Sequence, residues 1–502
     1  MSRDAGSTTP ESLDVLGPRA AAALVFGSSA SVLVVELVAL RLLAPYLGLT
    51  LETSTLVIGV ALAAIAMGSW AGGRLADVVS PRRALAPLLG VSGVAVAVTP
   101  VAIRGTAEVA GAVLLLTASL AIIVPGTLLA AVTPMVTKLR LRNLDHTGTV
   151  VGLLSGIGTA GGIFGTVLTG FVLISRVPVS AIMVGLGVLL VAAAAVLELR
   201  VRRWRVVGVT ALLVLTGGAV SAISPDSCDV ETTYHCAAVL SDPARPSGRT
   251  LVLDGLNHSY VDLDDPTYLA YDYAKAVVAA IDTAFPTGQP LRAHHIGGGG
   301  LTVPRYLERS RPQTESSVSE IDPGVVQIDR TLLRLPPDSS IDVRVEDGRV
   351  GLGRLADDSQ ELVVGDAFGG VSVPWHLTTR EAVTEVGRVL TPDGSYVLNL
   401  IDFGPLALAR AEVRTLSGVF AHVAVAAETD TLTGGEMAGG NLVVVASDRP
   451  IDTSALAQRL TDRGVPWGVL SGAQLASWAG DAAVLTDDYA PVDQLLTPYP
   501  DR

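Results

Sequence analysis

The chain of 502 residues has little charge, few aromatic side chains, two cysteines and two lysines. Charged residues make up 17% of the sequence and aromatic residues 4%. Average soluble domains carry about 25% charged residues, so this deficit argues against an ordinary soluble protein of this length. Because 49% of the residues are hydrophobic, the composition also excludes a disordered chain. The net charge of −13 argues against nucleic acid as a general partner.

The charges that are present divide the chain into two unlike parts. Residues 1–225 carry 15 Lys and Arg against nine Asp and Glu, which is a net charge of +6. The remaining residues therefore carry a net charge of −19. The sequence thus joins a basic, apolar N-terminal part to an acidic part of ordinary composition.

The N-terminal part has long apolar runs, each long enough to cross a bilayer as a helix of about 20 residues. They predict a cytoplasmic tail over 1–19 and an α-helical membrane bundle of about seven spans over 20–225. The seven predicted spans cover residues 20–43, 54–75, 84–103, 109–135, 150–174, 178–198 and 206–224.

The basic residues of the loops predict the orientation, because Lys and Arg concentrate in cytoplasmic loops. They follow the second, fourth and sixth spans, as Arg74, Arg82, Arg83, Lys138, Arg140, Arg142, Arg200, Arg202, Arg203 and Arg205. We therefore expect a multi-pass protein of the plasma membrane with a cytoplasmic N-terminus and an extracytoplasmic C-terminal domain. Cys228 and Cys236 follow the last span, where an oxidising compartment favours a disulfide over two unpaired thiols.

Two features of the spans leave further roles open. The pairs Gly158/Gly162 and Gly161/Gly165 in the fifth span allow close packing within the bundle or between two copies. The segment GGRLADVVSPRR (72–83) resembles the loop between spans 2 and 3 of major facilitator transporters. A transport function therefore remains an alternative.

The C-terminal part alternates strand-like and helix-like segments, which is typical of a parallel sheet wound on both sides. Residues 226–290 predict a small β region followed by a linking helix, and residues 291–502 predict an α/β Rossmann-like domain that binds a nucleoside. In such sheets ligands bind at the carboxyl ends of the strands.

Glycine and acidic residues occupy those strand ends. Gly297, Gly298, Gly299 and Gly300 follow the first strand of the Rossmann-like domain, where glycine allows a tight turn and close approach of a ligand. The acidic residues Glu320, Asp347 (followed by Gly348) and Asp366 come after the next three strands. An acidic residue about 20 positions beyond the glycine turn can accept ribose hydroxyls. The pattern departs from the GxGxxG dinucleotide motif, which favours an S-adenosyl-type ligand over NAD.

These residues resemble the spermidine synthase family of polyamine aminopropyltransferases. The matching segments are LDGLNHSYVDLDD, AYDYA, HIGGGG, SEIDPGVV, VEDGR and VVGDAF, in the family's order over about residues 250–400. The whole layout, with GGNLVVVAS and LTDDYAPVDQLL, resembles the bacterial membrane-fused spermidine synthase-like proteins. The resemblance implies a Rossmann-like methyltransferase/spermidine-synthase fold.

The resemblance also implies residue roles. Asp366 would be the catalytic base, Glu320 would hold the ribose, and Asp347 with Gly348 would hold the adenine. The glycine turn and His258, which takes the place of the family's glutamine, would also contact the nucleoside. Tyr271 and Asp272 would contact the amine substrate.

Two departures from the family concern the amine half of the site. The family's glycine loop usually reads GGGDG, and its Asp grips the aminopropyl ammonium; Gly300 stands in that place. Gly369 stands where the family usually has a second Asp for the polyamine. Asp272 and the acidic residues at 262–265 are possible substitutes, and a solvated acidic loop is the alternative.

The first functional hypothesis is therefore a membrane-anchored transferase that moves an aminopropyl group from decarboxylated S-adenosylmethionine to an amine such as putrescine. The second is a methyltransferase that uses S-adenosylmethionine on the same fold. The third is a sensor or transporter module that binds a nucleoside or polyamine without catalysis. We expect the lipid bilayer, a small amine and a second copy of the chain as partners, and we expect no metal.

Overall fold

The protein is described from a computed structural model that covers residues 16–47, 51–106, 111–141, 147–174, 176–201, 229–367, 373–435 and 439–497. The chain divides into two compact units. The first comprises residues 1–46 and 52–225, and the second comprises residues 47–51 and 226–502. The first unit is helical and the second has an α/β architecture.

Long apolar helices make up the first unit. Their bounds are α1 (Pro18–Leu47), α2 (Leu51–Val78), α3 (Pro81–Arg104), α4 (Gly111–Ala130), α5 (Val132–Arg140), α6 (Thr147–Leu168) and α7 (Val179–Val201). Within the described residues, six stretches are long and apolar enough to cross a membrane, and α4 and α5 together form one of them. The sequence predicted spans at all six places. The predicted seventh span, at 206–224, lies outside the described residues.

Glycines of α6 let this helix approach α1 closely. A Cβ atom on Gly161 would lie 2.3 Å from the carbonyl oxygen of Phe26, and one on Gly165 would lie 2.5 Å from that of Ala30. Because no larger side chain fits there, these glycines serve packing inside the bundle, as one of the two sequence interpretations predicted.

The second unit begins with a small antiparallel sheet. Its strands are β1 (Val230–Glu231), β2 (Cys236–Asp242), β3 (Arg245–Leu253) and β4 (Leu256–Asp262), paired in that order. Asp254 and Gly255 both have positive φ, 51° and 79°, and form the tight turn between β3 and β4. Helix α8 (Asp272–Ala284) then leads into the larger sheet. It begins directly after Tyr271 and is the linking helix that the sequence predicted.

Eight strands form the larger sheet, in the order β12-β10-β11-β9-β8-β5-β6-β7. Their bounds are β5 (Arg292–Ile296), β6 (Glu315–Glu320), β7 (Asp342–Val345), β8 (Gln360–Gly365), β9 (Leu390–Phe403), β10 (His422–Glu428), β11 (Gly439–Ser447) and β12 (Trp467–Ser471). Strands β5 to β9 are parallel, whereas β11 pairs antiparallel with β9 and β10, and β12 pairs antiparallel with β10. The sequence pattern indicated a parallel sheet; the sheet is parallel over β5 to β9, and strands β11 and β12 run in the opposite direction.

Helices cover both faces of this sheet. They are α9 (Thr302–Ser310), α10 (Pro323–Thr331), α11 (Gly348–Leu352), α12 (Arg380–Val389), α13 (Ala407–Leu416), α14 (Thr429–Thr433), α15 (Thr453–Asp462), α16 (Gly472–Ala479) and α17 (Val492–Leu495). Successive residues of a strand point to opposite faces. Accordingly, Leu362 and Val364 of β8 pack in the core that includes α8, and Val363 packs in the core that includes α12 and α13. The sheet is thus buried on both sides, and its strand ends remain available for a site.

Candidate functional site

The glycine turn after β5 lies against the end of β8. Gly297 has a φ of 99°, and a Cβ atom there would lie 2.3 Å from the carbonyl oxygen of Asp366. The Asp366 N–H donates to the carbonyl of Ile296 at 2.9 Å, so the two strand ends are held together. This position therefore needs glycine for its conformation and for space.

Glu320 ends β6 directly beside this turn. Its carboxylate accepts hydrogen bonds from the N–H of Gly298 at 2.7 Å and from the N–H of Asp322 at 2.8 Å. Its side chain is buried, and burial raises its pKa above the usual range although both backbone donors act in the opposite direction. The carboxylate oxygens keep lone pairs for further donors, which suits the hydroxyls of a ribose.

Asp347 caps the short helix α11 after β7. One carboxylate oxygen accepts from the N–H of Arg349 and Val350, at 2.9 and 3.1 Å, and the other lies 2.7 Å from Nε2 of His376. Burial would raise the pKa of Asp347, but the His376 hydrogen bond and the backbone donors together lower it. A Cβ atom on Gly348 would lie 2.4 Å from Cγ2 of Ile296, so a larger residue would disturb this packing.

Asp366 follows β8 and is supported by two neighbouring strands. Nδ2 of Asn399 in β9 donates to its Oδ1 at 2.8 Å, and Nδ2 of Asn441 in β11 donates to Oδ1 of Asn399 at 3.0 Å. Burial raises the pKa of Asp366 to about 6, although the Asn399 hydrogen bond acts in the opposite direction. The residue as a whole is half-buried. A carboxylate with this pKa can accept a proton near neutral pH.

The backbone conformation and the packing of Gly300 both disfavour a side chain at this position. Its φ is 76°, and a Cβ atom there would lie 2.2 Å from Oγ of Ser259. Its N–H donates to Oδ1 of the buried Asp329 at 3.0 Å. The local backbone conformation and packing therefore favour glycine here, in place of the family's loop aspartate.

Two predicted ligand residues, His258 and Tyr271, lie where β4 and the start of α8 meet. Tyr273 donates its hydroxyl to the carbonyl of His258 at 3.1 Å, and burial followed by the nearby Asp366 charge raises its pKa. The ring centroids of Tyr271 and Tyr273 are 6.1 Å apart. Burial and the neighbouring His235 lower the pKa of the His258 imidazole to about 4. Tyr271 and His258 therefore stay candidates for ligand contact.

Asp272 has a different environment. It lies in the first turn of α8, and its carboxylate forms an ion pair with Lys275 at 2.7 Å. Its side chain is 48% exposed. The structure records Cys236 as disulfide-bonded. Cys228 and Gly369 lie outside the described residues, so the predicted pairing and the role of Gly369 stay predictions.

Sequence reasoning missed the residues that support the site. His376 and Asn399 lie between the matching segments, where an isolated His or Asn carries no recognisable signal. Asn441 and Asp487 lie within GGNLVVVAS and LTDDYAPVDQLL, for which the resemblance implies no residue roles. Among the described residues, no group of three or more His, Cys, Asp or Glu is arranged to hold a metal ion.

Comparison with curated proteins finds several polyamine aminopropyltransferases. The Vibrio vulnificus protein of that name is 28% identical over 214 residues, which is 41% of this chain and 70% of the relative. The Chromobacterium violaceum protein of that name is 27% identical over 141 residues, or 28% of this chain. The chain spans about half the length of this second relative. No family model matches the chain.

Two solved structures are also similar. A probable spermidine synthase from Corynebacterium glutamicum has 27% identity and a TM-score of 0.49, over 53% of this chain and 97% of its own. The Thermotoga maritima spermidine synthase has 17% identity and a TM-score of 0.34, over 52% of this chain and 81% of its own. On the similarity to the curated relatives, this chain is a spermidine synthase-like protein with apolar helices before its α/β unit.

Proposed function

We propose that this chain is a membrane-anchored aminopropyltransferase that moves an aminopropyl group from decarboxylated S-adenosylmethionine to a small amine such as putrescine. The observation that carries the proposal is the position of Asp366, a half-buried residue whose backbone lies against the glycine turn and whose carboxylate accepts a hydrogen bond from Asn399. The names of the curated relatives support the same reaction class.

Asp366 would act on the attacking amine. An ammonium ion has no lone pair for attack, so Asp366 takes a proton from the amine nitrogen. That nitrogen then forms a bond to the carbon beside the sulfonium sulfur while the carbon–sulfur bond breaks. The bonding electron pair leaves with sulfur, which becomes the neutral thioether of methylthioadenosine. The chain's part is to position the two reactants and to accept the proton.

The nucleoside half of the donor would lie along the ends of β5, β6 and β7. Glu320 suits the ribose hydroxyls because both of its oxygens already accept hydrogen bonds and act as acceptors for any further donor. Asp347 suits the amino group of adenine for the same reason. The glycine turn allows the sulfur-bearing part of the donor to approach Asp366 closely.

A second function on the same site is supported by Gly300. The family's ammonium-gripping aspartate has no counterpart there, and Oγ of Ser259 occupies the space that a Cβ atom would need. A methyltransferase that uses intact S-adenosylmethionine does not need an aminopropyl-gripping carboxylate at this position. Donor choice is therefore the measurement that separates the two transferases.

The location of the active domain remains part of the proposal. The six long apolar helices are compatible with a multi-pass membrane protein. Loop charges favour a cytoplasmic N-terminus and an extracytoplasmic α/β unit; in that orientation the transferase needs a nucleoside donor supplied outside the cytosol. We further propose that the chain associates with a second copy.

Calorimetry of the full chain in detergent with methylthioadenosine, S-adenosylmethionine and the decarboxylated donor tests the nucleoside site. Product analysis with putrescine then tests transfer. We expect D366N to keep methylthioadenosine binding and to lose about 100-fold or more in transfer rate, because general base catalysis contributes about 10²–10⁴-fold. The exposed D462N variant on α15 is the matched control. Unchanged transfer in D366N would remove Asp366 as the base, and lack of nucleoside binding would reject both transferases.

A further inference from the structure

The C-terminal segment LTDDYAP (485–491) lies against the helix that Asp347 caps. The guanidinium of Arg349 donates from Nη1 and Nη2 to the two carboxylate oxygens of Asp487, each at 2.7 Å. The hydroxyl of Thr379 also donates to Asp487 at 2.7 Å. The N–H of Asp487 donates to Glu381 at 3.0 Å. These hydrogen bonds therefore hold the segment beside Asp347, where the adenine would lie in the proposed nucleoside site.

His376 connects this segment to Asp347. Its Nε2 lies 2.7 Å from Oδ2 of Asp347, and its backbone carbonyl accepts from Nη1 of Arg349 at 3.2 Å. The side chains of His376 and Asp347 are 31% and 27% exposed. Both groups are thus open to a ligand, and Arg349 bridges them to Asp487.

We infer that His376 and Asp487 are positioning residues that make Asp347 select a purine with an amino group at position 6. The inference rests on the nucleoside site of the proposed function. Because the two helix N–H groups and His376 all donate to it, Asp347 is held as an ionised carboxylate that can only accept hydrogen bonds. A 6-amino group can donate to the remaining lone pair of Oδ2. A 6-oxo group would place a second acceptor against it.

The geometry assigns separate tasks to the two positioning residues. In the tautomer with the proton on Nε2, His376 donates to Oδ2 and restricts the rotation of the Asp347 carboxylate. Asp487 acts on His376 indirectly, through Arg349. Its bidentate pair with Arg349 holds the guanidinium that donates to the His376 carbonyl. A bidentate pair of this kind fixes direction as well as distance.

Calorimetry of the full chain in detergent with methylthioadenosine and methylthioinosine, which differ in the group at position 6 and in the proton that the 6-oxo form carries on N1, tests the inference. The wild type is expected to prefer the adenosine compound. H376F is expected to weaken adenosine binding about tenfold, since a hydrogen bond to a charged group is lost, and to reduce the preference by a similar factor. H376Q, whose amide can donate from a similar distance, is expected to restore most of both. H422F, at the start of β10, is the matched control.

D487N, with D462N as its control, is expected to reduce the adenosine preference about threefold, because the ion pair with Arg349 becomes a weaker hydrogen bond. An H376F variant that binds both nucleosides more weakly but keeps the wild-type preference would overturn the inference, since that result describes a purely structural role. If D487N prefers methylthioadenosine as strongly as the wild type does, Asp487 is not a positioning residue.

The same measurements separate this inference from the proposed reaction. If the wild type prefers methylthioadenosine but transfers no aminopropyl group, the proposed reaction fails and the selection by His376 stands. If the wild type binds neither nucleoside, both fail together.

Discussion

Replacing Asn399 by alanine removes the hydrogen bond to Oδ1 of Asp366 and should shift the acidic limb of the activity profile to higher pH. Asp366 has a pKa raised to about 6, so the base is ionised and competent above that pH and becomes inactive as the pH falls through it. The Asn399 donor, at 2.8 Å, favours the ionised form. Its loss therefore raises the pKa of Asp366 further.

The size of this shift follows from the bond that is lost. Hydrogen bonds to charged groups contribute about 1.5–3 kcal/mol, and one pKa unit corresponds to about 1.4 kcal/mol. The bond alone would thus account for about one to two units. Because Asp366 is half-buried as a residue, we expect water to replace some of the lost stabilisation. We therefore expect the limb to move by about one unit, from near pH 6 to near pH 7.

The assay is the pH dependence of kcat/KM for aminopropyl transfer by the full chain in detergent. N441A should give a smaller shift in the same direction, because Asn441 acts on Asp366 only through the amide of Asn399. Q458A, which removes an exposed amide from α15, should leave the profile unchanged. A wild-type limb in N399A would refute the reasoning, since it would mean that Asp366 is not the group that titrates.

Three further predictions concern stability and topology. G300A should lower the free energy of unfolding by about 1–3 kcal/mol in thermal melts, because the residue has positive φ and its Cβ atom would overlap Ser259; an unchanged melt would contradict this. Burial lowers the pKa of His294 and His295 to about 4 and about 3, below the unfolded value of about 6.5. Unfolded chains therefore bind more protons than folded chains as the pH falls below 6.5. Each histidine should lower the free energy of unfolding by about 2 kcal/mol at pH 5 relative to pH 7. Thermal melts that agree at the two pH values would contradict this. An impermeant thiol reagent should label Cys228 and Cys236 on intact cells after reduction, and labelling only after permeabilisation would reverse the predicted topology.

The principal acidic residues of the nucleoside site could be predicted from the sequence because they follow consecutive parallel strands. Glu320, Asp347 and Asp366 each come within two residues of a strand's carboxyl end. Neighbouring parallel strands end at one edge of a sheet, so spacing alone brings such residues together. The glycine turn could be recognised for the same reason, and the positive φ of Gly297 and Gly300 agrees with it.

The supporting residues could not be predicted in this way. Asn399 and Asn441 meet Asp366 only because β9 lies beside β8 and β11 pairs with β9. Asp487 meets Arg349 across 138 positions of the chain. Contacts of this range depend on strand order and on the path of the last segment, and neither leaves a local periodicity in the sequence.

Hydropathy and composition by themselves determined the division of the chain into apolar helices and an acidic α/β unit, because bilayer length and strand alternation both appear as local patterns. They also placed the main acidic groups at the strand ends. Only the tertiary structure decided that the sheet is mixed and that a side chain at Gly300 would be strained and would displace Ser259. It also decided that Asp366 and Asp347 are supported by distant amide, imidazole and guanidinium groups. The physical reason is that charge state, orientation and free space are properties of the surroundings, which the folded chain assembles from residues far apart in sequence.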